Sequence, residues 1–155
     1  MENTVIAVAS DHAGVRLKDM IISHLRALGQ QPLDLGTNGD DSVDYPDFGY
    51  RLAQAVASGQ ARYGVGICGS GIGISMALNR YRQIRAALCT NSTMARLARA
   101  HNDANVLVLG ERLVGAEIAK DCLQAFLATD FEGGRHQNRV EKLNRGIGAS
   151  ESERG

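Results

Sequence analysis

The segment Cys68-Gly69-Ser70-Gly71-Ile72-Gly73 is the part of this chain best suited to chemistry. Its glycines allow the backbone to come within hydrogen-bonding distance of a ligand, and a helix starting there would offer free N–H groups to an anion. Cys68 opens the loop, where the end of a strand would meet a helix start, and such a position favours an accessible thiolate. The other use of a free cysteine is as a small core side chain, which suits Cys89 and Cys122. The glycine spacing is GxGxG, whereas a dinucleotide-binding turn needs GxGxxG. No Gly-Lys-Ser/Thr follows, so the loop is not a nucleotide P-loop either. It reads as an oxyanion-binding loop.

Other reactive side chains cluster in short segments elsewhere. Asp11 and His12 lie in Ser10-Asp11-His12-Ala13-Gly14, His101 and Asn102 in Ala100-His101-Asn102-Asp103, and Arg112 in Gly110-Glu111-Arg112. Arg135 and Arg139 are four apart, so a helix would place both guanidinium groups on one face, as a phosphate clamp or as a solvated basic face. In the acid-rich stretch 40–47, Asp44-Tyr45-Pro46 could wall a sugar site, with Tyr45 stacking and Asp44 accepting from a hydroxyl. His24 reads as a surface or boundary residue, and His136 as a neighbour of the site or a solvated ring. No histidine pair has HExxH or other metal-ligand spacing, and the three cysteines lack Cys-x-x-Cys, so no metal is expected.

The elements that must position these groups follow from the hydrophobic pattern. Short apolar or β-branched runs at 4–10, 31–36, 63–68, 84–90 and 105–110 read as strands. Helical stretches alternate with them at 15–28, 48–57, after Gly71, 92–100, 115–127 and 135–143. In the first, Leu17, Ile21, Leu25 and Leu28 mark one face and Gly29 the stop. Strands alternating with helices predict an α/β, three-layer, doubly wound (Rossmann-like) fold with a five-stranded parallel sheet. Ligands in such folds bind beyond the carboxyl ends of the strands. The loops after strands one, three, four and five carry Asp11 and His12, Cys68 and Ser70, Thr90-Asn91-Ser92, and Arg112.

At 155 residues the chain suits one domain, expected over 1–145, and the small polar stretch 146–155 is expected to be a disordered tail. Lys and Arg number 17 against 17 Asp and Glu, and this balance argues against a nucleic-acid or membrane-surface partner. No apolar run approaches the roughly 20 residues that span a bilayer. The first residues, with Glu2 and no basic region, do not read as a signal peptide, so a reducing, cytoplasmic setting is expected.

Taken together, Ser-Asp-His-Ala-Gly, Asp-Tyr-Pro, Cys-Gly-Ser-Gly-Ile-Gly-Ile-Ser, His-Asn-Asp-Ala-Asn-Val-Leu and Glu-Gly-Gly-Arg-His-Gln-Asn-Arg-Val resemble the type B ribose-5-phosphate isomerases, relatives of the galactose-6-phosphate isomerase subunits. The resemblance runs over about residues 4–145, in the family's order. It implies that Cys68 is the base moving a proton between C2 and C1 of an open-chain aldose phosphate. Ser70 and the backbone of Gly69, Gly71, Ile72 and Gly73 would hold the enediolate oxyanion; many relatives carry Thr at the Ser70 position. His101 would open the furanose ring, with Asn102 binding beside it. Asp11 and His12 would contact hydroxyls or phosphate, and Arg112, Arg135 and Arg139 would hold phosphate. The resemblance also implies a homodimer or homotetramer with the site shared between subunits, and no cofactor.

Overall fold

The computed structural model describes residues 3–148. Five parallel strands, β1 (Val5–Ser10), β2 (Gln31–Asp34), β3 (Tyr63–Cys68), β4 (Ala86–Leu88) and β5 (Val106–Gly110), form one sheet in the order β2-β1-β3-β5-β4. The helices are α1 (Val15–Ala27), α2 (Tyr45–Ala57), α3 (Ile72–Leu78), α4 (Ser92–Asn102), α5 (Ala116–Ala128) and α6 (Arg135–Arg145). Successive strand residues point to opposite faces, so a sheet covered on both sides needs apolar residues at nearly every position. In β1, Ile6 and Val8 join the layer packed with α1, α4 and α5, whereas Ala7 and Ala9 join that of α2 and α3. Helix α6 docks outside these layers, against α4.

The middle strand shows how sequence controls layer spacing. In Tyr63-Gly64-Val65-Gly66-Ile67-Cys68 the large residues face α1 and α5, and the glycines face α2 and α3. A Cβ on Gly64 would lie 2.8 Å from Leu52 Cδ1, and one on Gly66 3.1 Å from Leu78 Cδ1. Without those carbons the two helices settle close on β3, which brings the start of α3 over the strand's end.

The doubly wound class is as expected, with differences at element ends. Helix α2 begins at Tyr45, inside what reads as loop, because Pro46 falls in the first turn, where its missing N–H has no partner to lose. Leu28 is 38% exposed at the end of α1 and does not join the core stripe. Strand β4 is shorter than the run 84–90. Helix α4 extends through Asn102 to a left-handed cap at Asp103 (φ 48°), held by an Arg99–Asp103 ion pair of 2.8 Å. His101 therefore lies in its last turn, not past it. A 3-10 turn, His12–Gly14, links β1 to α1. Of the expected disordered tail, 149–155 lies outside the described residues.

Candidate active site

The crossovers decide where chemistry can occur. Helix α1 leaves β1 toward one face of the sheet and α3 leaves β3 toward the other, which opens a crevice beyond the carboxyl ends of these neighbouring strands. Helix α5 leaves β5 on the same side as α1, so the end of β3 is flanked by such a switch on both sides. Cys68 is the last residue of β3 and 4% exposed.

The loop after it folds back on its own sulfur. The Gly71 N–H donates to Cys68 Sγ at 3.1 Å, and the Ile72 N–H donates to Ser70 Oγ at 3.2 Å. Gly71 must have no side chain: its φ is +78°, and a Cβ would meet Leu88 Cδ1 at 2.6 Å. From the turn after β5, the Glu111 N–H donates to the Cys68 carbonyl at 3.0 Å and the Arg112 N–H to the Gly69 carbonyl at 2.9 Å. The Arg112 guanidinium lies over Gly69, its Cζ 3.3 Å from where a Cβ would stand.

On the other flank, the Asp11 N–H donates to the Ile67 carbonyl at 3.3 Å, and an Asp11 carboxylate oxygen accepts the Ala13 N–H at 3.0 Å. His12 Nδ1 accepts the Val43 N–H at 3.1 Å, which leaves Nε2 to carry the proton of the neutral ring. The Val43 stretch leads into α2, whose first side chain, Tyr45, lies on Gly73: a Cβ there would be 2.6 Å from Tyr45 Cε1. Asp11, His12, Tyr45, Cys68, Gly69, Ser70, Gly71, Ile72, Gly73 and Arg112 thus come together at one edge of the sheet.

His101, Asn102, Arg135 and Arg139 do not join them within the chain. Helix α4 runs back along the sheet and ends before β5 begins, whereas Cys68 pairs with Gly110 where β5 ends. The register from Gly64–Val106 to Cys68–Gly110 is four residues long, about 13 Å at about 3.3 Å per residue. His101 stands at the opposite edge, its ring stacked on that of His136 with centroids 4.3 Å apart and planes 11° apart. Glu132 Oε2 lies 3.9 Å from His101 Nε2 and 3.8 Å from His136 Nε2. Burial, then His101, then Arg135 push the His136 imidazole below its ordinary value, and Glu132 acts in the opposite sense.

Sequence spacing does not reveal the trio of His101, Glu132 and His136, whose donor atoms gather within 4.8 Å. A metal must lie near the plane of each imidazole that binds it, and two nearly parallel stacked rings share no such point. One ring would have to turn before the trio could hold an ion. Lys18 is also missed, although it shares a helical stripe with Ile21, Ile22 and Leu25. It is fully buried, with Nζ 3.0 Å from Asp34 and 2.7 Å from Asn38 Oδ1, and so ties α1 to the end of β2 and the loop after it. Glu111 is a second such tie, its Oε1 accepting the Leu17 N–H at 2.9 Å. Cys89 and Cys122 are core residues; burial, with Cys122 adding, pushes the Cys89 thiol up to about 12.

A doubly wound α/β domain with a cysteine and a folded-back glycine loop at its switch point, arginine beside it, falls in the class of α/β proteins whose ligand crevice lies beyond the carboxyl ends of the strands. The family described as Ribose/Galactose Isomerase matches residues 6–143, and the chain belongs to that family. It is 46% identical over 138 residues to ribose-5-phosphate isomerase B of Escherichia coli (strain K12), covering 89% of this chain and 93% of that one. The crystal structure of a ribose 5-phosphate isomerase from Thermotoga maritima superposes with a TM-score of 0.90 at 48% identity, over 92% of this chain and 99% of that one. Ribose-5-phosphate isomerase B of Clostridium thermocellum gives 0.89 at 51% identity, over 90% and 95%. The chain is an isomerase. Among the described residues, no helix is long and apolar enough to cross a membrane.

Proposed function

We propose that the protein interconverts ribose 5-phosphate and ribulose 5-phosphate through an enediolate, with Cys68 as the base. The observation that carries this reading is the Cys68 sulfur at the switch point, under a loop whose N–H groups turn toward it and toward Ser70. With C1 of the open-chain aldose at the loop, the Cys68 thiolate takes the proton from C2. The electron pair moves into a C1–C2 double bond, and the negative charge comes to rest on O1. Loop N–H groups and the Ser70 hydroxyl stabilise that oxyanion. The proton returns from Cys68 to C1, the O2 proton passes to O1, and the ketose is formed. No electrons are exchanged with a partner, so the reaction needs no redox cofactor. Arg112 beside the loop suits the phosphate, and Asp11, His12 and Tyr45 suit the sugar.

Ribose 5-phosphate is mostly a closed ring, so turnover needs a second acid–base group. His101 fits that role in chemistry, but about 13 Å of strand separates its edge from that of Cys68, more than one sugar phosphate comfortably bridges. A second copy of the chain, as homodimer or homotetramer, would bring its His101, Asn102, Arg135 and Arg139 to the Cys68 of the first.

The test is the purified protein, dialysed against a chelator, with aldose phosphates of four to six carbons. Ribose 5-phosphate should be isomerised fastest, with full activity in the absence of metal. A preference for a six-carbon substrate reassigns the substrate; no turnover on any of them indicates a sugar-phosphate sensor, and turnover restored only by added zinc or magnesium rejects the mechanism. The phosphate clamp gives a second prediction. Hydrogen bonds to charged groups are worth about 1.5–3 kcal/mol, so Arg139→Ala should raise KM about tenfold to a hundredfold with a smaller effect on kcat. A KM unchanged for the phosphorylated sugar removes Arg139 from the site.

A further inference from the structure

Ring opening, as read above, uses one side chain, His101, yet His101 does not stand alone. His136 supports it face to face, and one carboxylate oxygen of Glu132 lies within 4 Å of both Nε2 atoms. The Glu132 N–H also donates to the Ala100 carbonyl at 3.0 Å, which fixes the acidic residue to the end of the helix that carries His101. The two rings are unequally placed, with the His101 side chain 37% exposed and that of His136 10% exposed.

We propose that His136 and Glu132 are positioning residues for His101: the trio holds one exchangeable proton between two stacked imidazoles, and the stack keeps that proton on the exposed ring. The proposal rests on the reading of His101 as the ring-opening group. Two imidazolium rings at this separation repel, and the trio holds a single carboxylate to balance them. The charged groups acting on His136 are His101 from α4, Glu132 from the preceding loop, and Arg135 and Arg139 from α6 itself. Three of these four disfavour a proton on His136, as does burial. Arg99, the next cation on α4, is engaged by Asp103. A proton is thus disfavoured on His136, and His101 presents the more exposed ring, where a sugar's ring oxygen can approach. Neutral His136 keeps the ring plane fixed, and Glu132 stabilises the imidazolium after each turnover.

The experiment is a histidine NMR titration of the full chain and three variants, joined to pH–rate profiles on two substrates. In the wild type, His101 should titrate first and His136 only at distinctly lower pH. In His101→Asn, the His136 midpoint should rise, because its repelling partner is gone. Glu132→Gln removes a carboxylate near 4 Å from each ring, so the His101 midpoint should fall by about 0.5–1 pH unit, about three- to tenfold in proton affinity. The alkaline limb of the ribose 5-phosphate profile, where the acid loses its proton, should move down with it. A four-carbon aldose phosphate, which has no ring to open, should keep its wild-type profile. His136→Phe keeps a flat ring in the stack, and should abolish the low-pH titration step while His101 still titrates.

Independent titration, with His136 unmoved in His101→Asn and His101 unmoved in Glu132→Gln, overturns the proposal. Coupled titration with equal kinetic effects on both substrates instead overturns the ring-opening role of His101, and the proton-sharing stack stands.

Discussion

Replacing Cys68 by alanine should lower turnover of ribose 5-phosphate by about 10²–10⁴-fold, the range of a positioned general base, and by more if no other group can take the proton. The fold should survive. The side chain lies at the end of β3, where the layer of α2 and α3 opens onto the crevice, and alanine removes only the sulfur and the acceptor of the Gly71 N–H. Arg112 and the backbone bonds that hold Gly69 are untouched, so phosphate binding should persist. Serine should be nearly as harmful, because a hydroxyl gives up its proton far less readily than a thiol. Solvent deuterium appearing at C1 or C2 reports proton transfer directly. Exchange near the wild-type rate in Cys68→Ala would mean that another residue is the base.

His101→Ala should have the second largest effect, about 10²–10⁴-fold on ribose 5-phosphate and little on a four-carbon aldose phosphate that cannot close into a furanose. An equal loss on both would remove the ring-opening role. The same variant tests the shared site. If each site takes Cys68 from one subunit and His101 from another, both variants are inactive as pure homo-oligomers. Dissociated together and reassembled, they form sites in which an intact Cys68 meets an intact His101. For a dimer with random exchange, half the molecules are mixed and each has one intact site, so about a quarter of wild-type activity should return. Without such recovery, no site is built from Cys68 of one copy and His101 of another.

Much of this was legible in the residues because burial on both faces leaves a simple mark. β1, β3 and β5 are covered by helices on each side, so they read as unbroken apolar runs between turn residues. The Cys68 loop was legible for a similar reason, since a backbone that must fold onto its own side chains needs glycine, and Gly71 with its positive φ bears this out. The start of α2 was less legible: Pro46 is usually punctuation, and only its place in the first turn makes it compatible with a helix. Lys18 was hidden in plain composition, because a lysine on an apolar stripe reads as a misfit until Asp34, at the end of β2, and Asn38, in the loop after it, arrive beside its ammonium.

By itself, then, the order of residues determined the alternation of strands and helices, the parallel sheet that follows from it, and the chemical character of each strand-end loop. These depend on neighbours in the chain: periodicity, glycine at a turn, a thiol before a helix. What only the tertiary structure decided is which reactive groups meet. The order β2-β1-β3-β5-β4 places the ends of β1 and β5 on either side of Cys68, so Asp11 and Arg112 become its neighbours. The return of α4 against the strand direction carries His101 to the far edge, where Glu132 and His136 join it from a loop and helix much later in the chain. Sequence motifs state what a side chain can do, whereas crossover direction and strand order set the distance over which it can act.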